Sequence, residues 1–167
     1  LQIPFQVVGG LGFYPRQEVY DLANILRFLD NSNDDVALLG ALRSPYFGLS
    51  DNGIFFLSRC PGTRLATKLE EVQARLDSLP PPDQKAAISA SQLLRRWRQF
   101  ADRHTLAELL HTILEDTGAW GFLSFGERGE QTIANIEKIL DLARTFEASG
   151  FSTLADFVAY INILISE

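Results

Sequence analysis

The chain of 167 residues holds one cysteine, no methionine, two histidines and two tryptophans. A lone Cys60 excludes an internal disulfide and leaves no cysteine cluster for zinc or an iron–sulfur centre. A reducing, cytoplasmic setting is therefore expected. Lysine is scarce, confined to Lys68, Lys85 and Lys138, so positive charge rests on arginine, whose planar fork suits bidentate contact with carboxylate or phosphate. No apolar run approaches the roughly 20 residues that span a bilayer, and no basic-then-apolar leader opens the chain, so no membrane partner is expected. A Gly-Lys-Ser/Thr triplet that would grip a nucleoside triphosphate is missing. With Leu1 in place of an initiator methionine and a helical pattern still running at Glu167, the expectation is a piece of something longer.

What is present is a composition that folds. Hydrophobic residues make up 46% of the chain, and Leu, Ile and Phe recur throughout, which argues against disorder. The length suits one domain able to bury its own core without metals or cross-links. Acids outnumber bases by 21 to 15, a net charge of -6, which gives no global attraction to nucleic acid or an anionic surface but leaves room for a local basic face.

The apolar spacing is helical almost everywhere. Residues 3–8 are β-prone and stop at Gly9-Gly10, which predicts a short strand entering a turn. Pro15 at a first helical position, Glu18 in the first turn, then Val19, Leu22, Ala23, Leu26 and Leu29 predict a helix with one buried stripe ending near Asn31. A shorter helix is predicted from Asn33-Asp34-Asp35 through Leu42, closed by Ser44-Pro45, and another over Ile54 to Leu57, capped by Ser50 or Asp51. Leu65, Leu69, Val72, Leu76 and Leu79 share a helical period, broken by Pro80-Pro81-Pro82.

The next helix is expected from about Asp83 to Ala101, burying Ile88, Leu94, Trp97 and Ala101. Thr105 with Glu108 reads as a capping box before Leu106, Leu109, Leu110, Ile113 and Leu114. Trp120 and Phe122 are expected to anchor the connection that follows. A longer helix then runs from about Glu130 to Ala148, stopped by Gly150, and the last begins at Ser152 or Thr153. No internal repeat or heptad array appears. The fold class predicted is mainly α, an irregular multi-helix domain with at most a short N-terminal β segment.

Few residue groups carry chemistry. Gly9-Gly10-Leu11-Gly12 serves either as a plain turn or as a close approach to a ligand or nucleic-acid backbone, and its glycine offsets miss the dinucleotide pattern. His104 and His111 are seven apart, roughly 10 Å along a helix, too far to share a metal directly. The pairs Asp34-Asp35, Glu70-Glu71 and Glu115-Asp116 diverge by about 100° on a helix and suit capping or solvation better than catalysis. No catalytic, cofactor-binding or metal-ligating residue is predicted. Arg95, Arg96, Arg98 and Arg103 form the basic group most suited to a phosphate backbone, the alternative being a solvated face with acid partners such as Asp102. Arg16 and Arg43 lie at helix ends where a ligand has access.

The stretch Ile3-Pro4-Phe5-Gln6-Val7-Val8-Gly9-Gly10-Leu11-Gly12-Phe13-Tyr14, then Gln17-Glu18-Val19-Tyr20-Asp21-Leu22, Asn33-Asp34-Asp35 and Leu42-Arg43-Ser44-Pro45, resembles UvrD/Rep-type superfamily 1 DNA helicases. The Leu-Arg-Ser-Pro wording, with Ile133-Ala134-Asn135-Ile136 and Phe146-Glu147, looks most like the AddA/RecB-like helicase-nuclease group. The resemblance implies that residues 1–14 leave motor domain 2A and residues 15–167 form the helical 2B insertion, a subdomain that rotates, contacts duplex DNA or partners and regulates unwinding.

It further implies a parent that is an ATP-dependent DNA helicase using ATP and Mg²⁺, with or without nuclease activity, acting in DNA repair or recombination. The motifs for ATP, Mg²⁺ and nuclease chemistry are not in this chain, so no cofactor and no activity are expected of it alone. Implied partners are the protein's own motor domains, DNA at a single-strand/duplex junction and a helicase-nuclease partner subunit. Gly9, Gly10, Phe13, Arg16 and Glu18 are the expected motor-proximal surface: the glycines for backbone approach, Phe13 for stacking or packing, Arg16 for a phosphate and Glu18 for capping or orienting an arginine. Arg43 either meets a ligand or pairs with a nearby acid. The competing function is a protein-docking module of a repair complex that never touches DNA.

Overall fold

A computed structural model describes residues 16–72, 74, 79–150 and 153–166. The β-prone residues 3–8, and Gly9, Gly10 and Phe13 with them, lie outside the described residues. Within them the chain is all α, with no sheet: α1 (Gln17–Asp30), α2 (Asp35–Arg43), α3 (Asp51–Arg59), α4 (Leu65–Glu70), α5 (Pro81–Ala101), α6 (Leu106–Asp116), α7 (Ala119–Leu123), α8 (Gly129–Ala148) and α9 (Leu154–Ser166). None of these helices is long and apolar enough to cross a membrane.

Local signals set most of the boundaries. The Asp34 side chain accepts from Ala37 N–H to start α2, Ser50 from Gly53 N–H to start α3, and Thr153 from Asp156 N–H before α9. Thr105 and Glu108 form the reciprocal capping box of α6. Burial of Leu106, Leu109, Leu110, Ile113 and Leu114 then follows from their spacing. Gly150, at φ 91°, ends α8 in a conformation other residues seldom adopt.

Packing departs from the sequence-based expectation in several places. Helix α1 is buried on more than one stripe: Asp21, Ile25 and Phe28 are covered along with the expected Val19, Leu22, Ala23, Leu26 and Leu29. It is the central helix, in contact with α2, α5, α8 and α9, so few of its faces meet water. Helix α5 begins at Pro81, with Pro80 as N-cap, rather than after the prolines. Pro81 and Pro82 occupy N1 and N2, where the missing N–H has no intrahelical partner to lose. Helix α4 stops at Glu70, yet Val72 and Leu79 beyond it are still buried in the core.

Trp97, Leu109, Leu110, Ile113, Leu114, Ile136 and Phe157 are almost wholly enclosed. Burying side chains of this size contributes about 1.5–3 kcal/mol apiece before entropy is charged against it. Trp97 stacks obliquely on Phe47 at 5.8 Å, and Phe146 meets both Phe157 and Tyr160 at 5.4 Å. Ile88 and Ala101, expected in the core, are only half-buried, and Ala87 and Ala90 take the inner positions of α5.

Candidate functional site

Two surface regions gather the residues that the sequence singles out. The first is a polar cleft of about 590 Å³ between the start of α1 and the start of α8, lined by Arg16, Gln17, Glu18, Arg128, Gln131 and Asn135. Arg16 and Arg128 are the N-cap residues of α1 and α8, and neither cap position makes a side-chain capping bond. Asn135, buried on α8, donates to Glu18 Oε1 at 2.5 Å and accepts from Gln131 Nε2 at 2.9 Å. Glu18 is thus held across the cleft by an asparagine 117 residues away in sequence. Its negative charge also sits favourably in the first turn of α1.

Behind the cleft lies a set of buried polar groups. Asp21 accepts from Gln17 Nε2 at 2.6 Å. Burial raises the Asp21 pKa, the Gln17 hydrogen bond opposes that rise and the Glu18 charge adds to it. The Tyr46 hydroxyl is buried with no hydrogen-bond partner among the described residues, and burial together with the negative charge of Asp21 and Glu18 pushes its pKa upward. The Tyr46 ring meets Phe122 edge-on at 5.3 Å.

The second region is the arginine-bearing end of α5, and here the four arginines separate. Arg96 faces α6 and pairs with Asp116 Oδ1 at 3.2 Å. The other Asp116 oxygen accepts from Trp97 Nε1 at 2.9 Å, so one carboxylate ties both residues to the end of α6. Arg98 is half-buried, its guanidinium 5.3 Å from the centre of the Phe28 ring, a cation–π contact onto α1. Arg95 is exposed and, with Arg98, borders a groove between α5 and α4. Arg103 lies beyond the end of α5 and is exposed. Helix geometry explains the split, because Arg95 and Arg98 are three apart and share a face while Arg96 is turned about 100° away. The acid that meets Arg96 is Asp116, a partner of the kind for which the sequence offers Asp102 as one example.

Arg43 pairs with Asp51 at 2.9 Å across the α2–α3 turn, the second of its two expected roles. Both side chains are more than half exposed, so the pair contributes about 1 kcal/mol at most. His104 stacks on Phe100 and bonds its carbonyl, while His111 lies 3.9 Å from Glu115. Among the described residues no three His, Cys, Asp or Glu side chains converge as a metal site would require.

Sequence reasoning missed Arg128, Gln131 and the role of Asn135, which become part of a site only because α8 starts beside α1. It also missed Asp83. That carboxylate, buried on the first turn of α5, accepts from Ser50 N–H at 2.8 Å and from the Ser50 hydroxyl at 2.7 Å, locking the start of α3 onto α5. Gly53 is required there, since a Cβ would fall 2.5 Å from Asp83 Cγ.

No protein-family model matches the chain. Individual proteins do. The chain is 31% identical over 164 residues to the A subunit of the ATP-dependent helicase/nuclease of Leuconostoc mesenteroides, and 29% identical over 167 residues to proteins of the same description from Bacillus cereus and Bacillus thuringiensis. In each case 98% of the chain aligns but only 13% of the relative is covered. The chain is homologous, over nearly its whole length, to a small part of the A subunit of ATP-dependent helicase/nucleases, a part of subdomain size.

Proposed function

We propose that this chain is the helical 2B-like subdomain of an ATP-dependent DNA helicase of the AddA-like helicase-nuclease kind, serving DNA repair or recombination by contacting DNA and regulating the motor. The observation that supports this most is the near-complete alignment of the chain with 13% of proteins described as the A subunit of an ATP-dependent helicase/nuclease. On this reading residues 1–14 are the exit from motor domain 2A and residues 15–167 the inserted subdomain. The parent uses ATP and Mg²⁺. The sequence has no Gly-Lys-Ser/Thr loop to grip the nucleotide, so no hydrolytic step is assigned to this chain.

The α1–α8 cleft is the motor-proximal face. Arg16 and Arg128 stand at two helix starts on that face, and the Asn135–Glu18 hydrogen bond links the entry helix to α8. DNA contact is assigned first to this cleft, since guanidinium groups and helix N-termini both favour phosphate. The arginines of α5 rank second, since they point to different neighbours and form no single phosphate track.

The test is titration of the chain with forked duplex DNA at low and moderate salt. Salt-sensitive, saturable binding lost on Arg16→Glu with Arg128→Glu, and kept on Arg95→Glu with Arg98→Glu, supports the assignment. The reverse pattern moves the footprint to α5, and no binding by any form rejects direct DNA contact. The identity of the parent is tested separately by the full-length gene product: helicase motifs flanking this segment support it, and their absence refutes it.

A further inference from the structure

The groove between α4 and α5 has the character of a protein-docking site. Its floor is apolar, made by Phe28, Leu69 and Leu94, all buried, with half-buried Ala66 beside them. The cavity is about 110 Å³ and open to solvent. That is somewhat less than the ~150 Å³ cavity known to take up a benzene ring, and suits one aliphatic side chain. A second cavity of about 110 Å³ adjoins it, with an apolar wall of Val72 and Ile88 and a polar edge of Ser91, Gln92 and Arg95, of which Ser91 and Arg95 are shared. The two sets of α5 residues are displaced by about four positions, roughly 6 Å along the helix. That is the spacing of side chains at i and i+4 on a partner helix.

The rim supplies the sign of the partner. Arg95 and Arg98 both border the groove, and neither pairs with a carboxylate among the described residues. Arg98 rests on an aromatic ring, which leaves its guanidinium edges open to an acceptor. Glu70 on the α4 side offsets one of these charges, so the rim formed by the described residues is net positive. A nucleic-acid strand would find a phosphate-binding rim but no use for an apolar socket with a Val72–Ile88 wall one turn away. An acidic amphipathic helix uses both.

We infer that the α4–α5 groove, floored by Phe28, Leu69 and Leu94 and rimmed by Arg95 and Arg98, docks an acidic amphipathic helix from another protein through two apolar side chains spaced at i and i+4. This stands apart from the DNA-contacting role of the α1–α8 cleft, and either assignment can fail without the other. Docking is anchored by the apolar socket and wall, while the two guanidinium groups select acidic sequences and set the salt dependence.

The probe is a fluorescein-labelled synthetic acidic helix with two leucines four residues apart, titrated against the 167-residue chain by fluorescence anisotropy. Three further probes accompany it: the same peptide with both leucines replaced by serine, the same peptide with its acids replaced by lysine, and the forked duplex. The acidic leucine peptide is expected to bind saturably, at least about tenfold more tightly than either altered peptide. Arg95→Glu with Arg98→Glu is expected to weaken it about tenfold and to leave fork binding unchanged. Ala66→Phe, which fills the socket without touching charge, is expected to weaken the acidic peptide while a thermal melt confirms that the fold is kept. Equal binding of the acidic and lysine peptides overturns the inference, as does indifference to the leucines. Loss of fork binding on the double reversal, with the peptide unaffected, shows that the rim belongs to nucleic acid instead.

Discussion

At its first turn α5 carries Asp83, a buried carboxylate that holds Ser50 by two hydrogen bonds and leaves Gly53 no room for a side chain. Toward its other end the same helix carries Arg95, Arg96 and Arg98, all wholly or partly exposed and distributed among different neighbours. Asp83 is structural, whereas the arginine side chains at the other end, set around the enclosed Trp97, are the groups available for contact. Burial makes the difference: a desolvated charge must be fully hydrogen-bonded to be tolerated, whereas a solvated arginine is held weakly and is free to exchange partners.

The sharpest test of this contrast is to remove what actually secures each end. Trp97→Ala, at the basic end, is expected to cost about 3–5 kcal/mol in urea unfolding, because an enclosed ring and its bond to Asp116 are both lost. Asp83→Ala at the acidic end is expected to cost about 2–3 kcal/mol, as the Ser50 N–H loses a charged acceptor. Gly53→Ala should cost about 1–3 kcal/mol alone and distinctly less in the Asp83→Ala background, because the clash is with the Asp83 carboxylate itself. Additive costs in that double-mutant cycle would separate the two residues and break the picture of a lock.

A smaller effect comes from Asp21, whose folded pKa is raised above the unfolded one by burial. The folded state therefore holds its proton more tightly, so the associated stability is complete below about pH 4 and is lost as pH rises through the folded pKa. Asp21→Asn is expected to raise the melting temperature at neutral pH, with the gain shrinking on acidification. A gain that is constant with pH would show that the carboxyl does not titrate differently on folding. The smallest effect belongs to Arg96→Ala, below about 1 kcal/mol, since its side chain is 61% exposed despite the bond to Asp116.

Much of the helical framework is legible in the sequence, and for a physical reason. The Thr105–Glu108 capping box, the Ser50 and Asp34 caps, the leucine-isoleucine stripe of α6 and the stop at Gly150 all depend on residues within a turn or two of one another. The proline run misleads because steric rules say only that proline ends a helix from within. They leave open whether it begins the next. In the candidate site, Arg16 and Glu18 are visible as a helix start, but Arg128 and Asn135 are not, because they belong to α8 and meet α1 only when the chain is packed.

By itself the sequence determined the helical character of the described residues, most helix ends and many of the apolar residues that face inward, since each follows from spacing along one segment. Tertiary structure alone decided that α1 is central and nearly surrounded, that Asp83 is a lock and not merely a first-turn acid, and that the arginines of α5 look to different neighbours. Those outcomes depend on which helix lies alongside, and no pattern within a single helix encodes the position of its neighbour.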